Sequence, residues 1–136
     1  MHDIEISLVN SLDTKKVSDL FRHAEFPRKG SIFSSVDVAK IIETSNLKVA
    51  ASVDGTLVGV ALCMTNQVSF CYLSALVVHP NAQGQGIGTK LTDYARATAG
   101  GEKMTFLVLS TAAAAKFYES IGMERSLNAY LWPRQI

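Results

Sequence analysis

Leu76-Val-Val-His-Pro-Asn-Ala-Gln-Gly-Gln-Gly-Ile-Gly-Thr-Lys-Leu91 is the stretch that decides how this chain folds. It starts as an apolar strand and breaks at His79-Pro80. Then comes Gln83-Gly84-Gln85-Gly86-Ile87-Gly88, which opens an amphipathic helix. Glycines on alternate positions leave backbone N–H groups unshielded. A helix begins there, with its unpaired donors and the positive end of its dipole. Such a turn is a cradle for a pyrophosphate.

Two common glycine-rich motifs do not fit. A Walker A loop needs G-x-x-x-x-G-K-[ST], but Thr89 stands five residues after Gly84 and Lys90 follows no glycine. A Rossmann fingerprint needs G-x-G-x-x-G, and Thr89 again fills the third glycine's place. The turn also lies past mid-chain rather than after a first strand. The spacing that fits is [Q/R]-x-x-G-x-[G/A], filled by Gln83, Gly86 and Gly88.

Here the chain resembles the GCN5-related N-acetyltransferases (GNAT), in which this loop holds the pyrophosphate of acetyl-coenzyme A. A second motif, A-x-x-[FL]-Y-x-x-x-G-[FM], is met by Ala114, Phe117, Tyr118, Gly122 and Met123. The two stand in family order, about one strand apart, and the resemblance spans roughly residues 4–131. It implies acetyl-CoA as acyl donor, with no metal, and an amine as acceptor.

The composition agrees. A chain of 136 residues is the size of one domain, taken as residues 1–136. Its 48% apolar content argues against disorder. Near balance of 13 Lys and Arg with 12 Asp and Glu gives no basic surface for nucleic acid. No apolar run approaches the ~20 residues of a membrane span. No secretory signal is legible in Met1-His2-Asp3-Ile4-Glu5, so the expectation is cytoplasmic. Cys63 and Cys71 make neither a disulfide framework nor a metal set and read as buried free thiols.

The pattern predicts strands over 4–9, 47–53, 56–65, 68–78, 103–109 and 123–131. It predicts helices over 14–24, 36–44, 86–98 and 112–120, capped by Asp13 or Thr14, Ser34 or Ser35, and Ser110 or Thr111. Ile87, Leu91, Tyr94, Ala95 and Thr98 form the expected buried stripe of the third helix. Asp54-Gly55 is a hairpin signal, and Gly100-Gly101 stops the third helix. The expected class is α/β, a GNAT-like fold with a mixed sheet of six or seven strands, about four helices and the order βααββββαβαβ. One strand–helix–strand crossover should be parallel and right-handed, with the glycine loop beyond the carboxyl end of its first strand.

Acyl transfer from a thioester needs the thioester held, its carbonyl polarised, the amine deprotonated and the thiolate protonated. The resemblance assigns the first task to the amides of Gly84, Gln85, Gly86, Ile87, Gly88 and Thr89 beside Gln83. It lays the pantetheine along Leu76, Val77 and Val78, where the amide of Val77 or Val78 can polarise the carbonyl. Tyr118 is the candidate general acid. Many relatives carry a carboxylate in the strand before the apolar triplet, where this chain has Ser74 and Ala75. Ser74 as a water relay, Glu25, His79 and Glu124 remain as candidates, and a dedicated base is not required. Lys90, Arg96, Lys103 and Lys116 are candidates for the 3′-phosphate.

The resemblance places the acceptor near Phe21–Phe33 and near Asn128, Tyr130 and Trp132. Phe26, Phe33 and Tyr130 read as an aromatic slot or equally as core. The leading expectation is acetyl transfer to a small-molecule primary amine by direct attack in a ternary complex. A non-catalytic acyl-CoA sensor and a peptide or protein N-acetyltransferase are the alternatives. The apolar tail ending in Leu131, Trp132 and Ile136 suggests a homodimer.

Overall fold

The computed structural model describes residues 3–135. The chain runs through β1 (Ile4–Val9), α1 (Thr14–His23), α2 (Ser35–Thr44), β2 (Leu47–Val53), β3 (Thr56–Thr65), β4 (Phe70–Val78), α3 (Ile87–Ala99), β5 (Thr105–Val108) and α4 (Ala115–Ser120). The strands form one sheet in sequence order. Neighbours are antiparallel up to β4, and β4 and β5 are parallel through the α3 crossover. This is the expected mixed α/β architecture with five strands among the described residues, not six or seven. Three strands, not four, stand between α2 and α3.

The final strand is absent as well. Residues 123–131 form no ladder, and Leu127 and Tyr130 are 89% and 94% exposed. A local hydrogen bond from Asn128 N to Ser126 Oγ turns the chain instead. Apolar and polar residues do not alternate strictly there, so no single face gains by burial.

Local chemistry explains the other boundaries. Asp13 Oδ1 accepts from Lys16 N and starts α1. Ser34 and Asp37 exchange bonds in a capping box that starts α2. Asp54 and Gly55 both take positive φ, as a two-residue hairpin of right-handed twist requires. The next connection is longer than expected. Asn66 Oδ1 accepts from the N–H groups of Val68, Ser69 and Phe70, which holds β4 back to Phe70.

The sheet carries a cluster on each face. On one, α3 packs Ile87, Leu91 and Ala95 onto Val49, Ala61, Cys63 and Leu73. Thr92 is buried in that helix, whereas Tyr94 and Thr98 are exposed, which corrects the expected stripe. On the other, α1 and α2 pack Val17, Phe21, Val38 and Ile42 onto Val60, Leu62, Ala75 and Val77. Residues 71 and 73 face α3, but 75 and 77 face α1 and α2. The switch comes from a bulge: Cys63 pairs with Leu73 while Leu62 pairs with Ala75, leaving Ser74 as the extra residue.

Candidate functional site

The sheet opens where the bulge stands. The β4–β5 ladder runs from Phe70/Thr105 to Leu73/Val108 and stops. β4 continues to Val78, so residues 74–78 have no strand beside them on the β5 side. Backbone groups along such an edge need partners, and an extended, amide-bearing ligand can supply them. One partner is already present at the far end, where Gln83 Nε2 donates to Val78 O at 3.0 Å.

Beyond Val78 a 3₁₀ turn over Pro80–Ala82 leads into the glycine loop. His79 Nδ1 accepts from Asn81 N there and shapes the turn. Gly84 and Gly86 have φ of 81° and 79°, conformations that favour glycine. Gly86 is the N-cap of α3, and no side chain caps the helix. Lys90 N is the first to bond back, to Gly86 O. Among the described residues the N–H groups of 84–89 have no acceptor. Free donors, the dipole of a 13-residue helix and a glycine-lined approach are the features that an anion site needs.

α4 crosses near this loop. A Cβ placed on Gly88 would lie 3.2 Å from Phe117 Cζ, so the lack of a side chain at Gly88 lets α4 close on the start of α3. Tyr118 sits beside Phe117, ring centroids 5.1 Å apart. It packs against the same buried cluster as Leu76 and Val78 of β4 and Phe106 and Val108 of β5, the two strands that part. Its hydroxyl makes no hydrogen bond among the described residues. Burial pushes the phenol above its usual pKa of 10.0, so it stays protonated at neutral pH.

Across the sheet lies a recess of about 200 Å³. The loop between α1 and α2 gives it Phe26, Pro27 and Phe33. The end of α2 gives Ile41, Thr44 and the adjoining Ser45, β3 gives Met64, and the bulge gives Ser74 and Ala75. The sequence pointed to Phe26, Phe33 and Ser74, and the structure brings these three together. It did not point to Ile41, Thr44, Ser45 or Met64. Only Ile41 carried a signal, as part of an apolar stripe; the rest depend on how α2 lies over β3.

The other candidates fall elsewhere. Glu25 is exposed, with φ of 55°, next to Phe26 but outside the recess lining. His79 stands 5.2 Å from His23, centroid to centroid, in a separate recess beside α1 and the β2–β3 turn. Glu124 is exposed past α4. Lys90, Arg96, Lys103 and Lys116 are all exposed, and Lys90 lies nearest in sequence to the loop. Asn128, Tyr130 and Trp132 do not line the recess, and Trp132 is fully exposed. From that tail it is Arg134 that returns, its Cζ 5.9 Å from the centre of the Phe33 ring. Among the described residues no cluster of His, Cys, Asp and Glu is placed to hold a metal ion. No helix there is long and apolar enough to cross a membrane.

A family model described as an acetyltransferase (GNAT) domain matches residues 45–125, from the end of α2 past α4. Several solved structures share the fold. A GNAT-family protein from Xanthomonas campestris pv. campestris is 23% identical, with 98% of this chain and 94% of that one covered and a TM-score of 0.78. An aminoglycoside N-acetyltransferase in complex with CoA is 15% identical, covering 100% and 97%, with a TM-score of 0.71. The ribosomal-protein-alanine N-acetyltransferase from Brucella melitensis biovar Abortus 2308 is 18% identical, covering 97% and 100%, with a TM-score of 0.70. No curated protein matches the sequence.

Proposed function

This chain belongs to the GNAT acetyltransferase family, and from that premise we propose that it acetylates the primary amine of a small molecule with acetyl-CoA, by direct attack in a ternary complex. The observation that carries the reading is the free edge of β4, residues 74–78, ending in a loop whose amides at 84–89 lack acceptors among the described residues. The first suits a pantetheine arm and the second a diphosphate.

The residues divide the work by face. Leu76, Val77 and Val78 hold the arm through their backbone, and an amide of Val77 or Val78 polarises the carbonyl. Gln83, Gly84, Gln85, Gly86, Ile87, Gly88 and Thr89 hold the diphosphate. Ser74 and Ala75 open toward the recess under α2, where the amine waits. Tyr118 belongs to the opposite face, with α3 and α4. An amine arriving from one side and a proton donor from the other suit a single displacement.

The acetyl donor supplies a reactive thioester: the amine nitrogen forms the new C–N bond, the C–S bond breaks, and the thiolate leaves as CoA. Tyr118 Oη donates its proton toward the sulfur. A phenol near pKa 10 is a weaker acid than a thiol near 8.5, a gap of about 2 kcal/mol. The dry site that raises the phenol also raises the thiolate, which narrows that gap. On the amine side, Ser74 relays a proton through water and Glu25 accepts it at the rim. An alkylamine of pKa near 10.4 is free base to roughly one part in a thousand at neutral pH, enough for slow turnover with weak assistance.

Initial rates of thiol release, with acetyl-CoA and an amine varied together, test the reading. Intersecting double-reciprocal lines are expected. Parallel lines would replace direct attack with an acetyl-enzyme. Bound acetyl-CoA with no CoA released by any amine would leave a sensor. Neither buried thiol, Cys63 nor Cys71, lies at the glycine loop to carry an acetyl group.

The same reading includes a single domain over residues 1–136, a cytoplasmic setting supported by two free thiols, and a homodimer. Leu127, Tyr130, Leu131 and Trp132 form an exposed apolar tail, the kind of surface a second subunit could cover. Light scattering should give twice 14.7 kDa, and a mass of 14.7 kDa would contradict the dimer.

A further inference from the structure

We infer that the acceptor is a compact primary amine with one apolar, ring-sized body and no second positive charge. This rests on the acetyltransferase reading and names the substrate class of its acceptor recess. The recess is the right place, because the bulge residues Ser74 and Ala75 form its floor where β4 leaves β5. Its size, about 200 Å³, suits an aromatic ring with a short arm and not a multi-ring sugar.

The chemistry of the walls is apolar. Phe26, Phe33, Ile41 and Met64 supply the area. The three hydroxyls present all donate to backbone carbonyls. Thr44 Oγ1 donates to Lys40 O at 2.8 Å, Ser45 Oγ to Ile41 O at 2.7 Å, and Ser74 Oγ to Leu62 O at 3.1 Å. What remains on those oxygens is acceptor lone pairs, which can take the N–H of a neutral amine. No ionisable side chain of the described residues lines the recess. An ammonium group carried into it would be desolvated without a counter-charge.

The rim adds to the selection. Arg28 and Lys29 lie in the loop between the lining residues Pro27 and Phe33, and Arg134 covers the Phe33 ring. Glu25 opens the same loop, and Lys40 and Glu43 of α2 pair with each other at 3.5 Å. Three cations against two carboxylates with no cation partner among the described residues, Glu25 and Asp37, leave the rim net positive and disfavour entry of a polycation. A polyamine or an aminoglycoside needs the opposite arrangement, carboxylates along the wall.

The test is a thiol-release panel on the purified protein with acetyl-CoA. Phenethylamine, cadaverine, spermidine, kanamycin and an alanine-starting peptide are the acceptors. The kcat/KM for phenethylamine should exceed that of each of the others by at least a hundredfold. Equal or better turnover of any of them would overturn the inference. Thr44 is exposed at the end of α2, where a substitution costs little stability. Thr44→Glu should cut the phenethylamine-to-cadaverine preference at least tenfold, while Thr44→Gln should keep it. An unchanged preference in Thr44→Glu counts against the recess.

A readout independent of turnover is the Met64 methyl resonance. It should shift on adding phenethylamine and stay still with spermidine. A protein that binds acetyl-CoA but gives neither turnover nor a Met64 shift with phenethylamine refutes this substrate class alone. A protein that does not bind acetyl-CoA refutes the acetyltransferase reading beneath it.

Discussion

Tyr118 shows how one residue can be legible as a candidate while its setting is not. The motif that ends at Gly122-Met123 named it, but nothing in the sequence said that burial would raise its pKa above 10.0. Tyr118→Phe should lower kcat by about a hundredfold, the low end for general acid catalysis, with acetyl-CoA affinity unchanged. Turnover within twofold of the parent would remove Tyr118 from the proton path. The sign of its pH effect follows from the raised value. Below pH 10 the phenol is protonated in folded and unfolded chains alike, and the favourable protonated fold is fully kept. As pH rises past 10 the unfolded chain ionises first and stability is lost. Thermal melts of the parent and of Tyr118→Phe should therefore run parallel below pH 10, and the parent should fall relative to the variant above it. Gly86 gives a second test at this scale. Gly86→Ala bears only the left-handed backbone penalty, about 1–2 kcal/mol, and should retain acetyl-CoA binding. Gly86→Glu adds a carboxylate facing the diphosphate and should abolish it. Equal affinity in the two would move the anion site elsewhere.

Among the elements, the sequence was most readable where one local rule decides. Asp13, the Ser34 box, Asp54-Gly55 and Gly100 each fix a boundary by their own chemistry, and each stands where the pattern placed it. It was least readable where a rule depends on a partner. Residues 123–131 hold one residue of high β propensity, Tyr130, and no neighbouring strand aligns with them, so they stay irregular. The bulge at Ser74 is of the same kind. The run Leu73-Ser74-Ala75 carries no glycine or other mark of an extra residue, yet its presence turns Ala75 toward the recess under α2. The approach of α4 to α3 is the packing most open to test. Gly88→Val would set a branched side chain against Phe117, 3.2 Å from the first added carbon. It should destabilise the fold by about 1–3 kcal/mol through overpacking and lower turnover by moving Tyr118. An unchanged melting temperature and rate would mean that α4 is not held by this contact.

Over the whole molecule, the sheet is one scaffold with a different task on each face. The α3 face presents the glycine loop and Tyr118, the α1 and α2 face holds the recess, and the opening between β4 and β5 joins them. The family, the glycine loop and Tyr118 as a candidate were legible because each rests on a short run of sequence. The recess was not, because its walls come from α2, β3 and β4 and meet only in the folded chain. The central claim is that the cleft and loop hold acetyl-CoA, and thermal unfolding with acetyl-CoA, ATP and NAD tests it most directly. Acetyl-CoA at a hundred times its dissociation constant should add about 2.7 kcal/mol and raise the melting temperature by roughly 10 °C for a domain of this size, with ATP and NAD giving far less. A folded protein whose melting temperature does not move with acetyl-CoA would contradict the account.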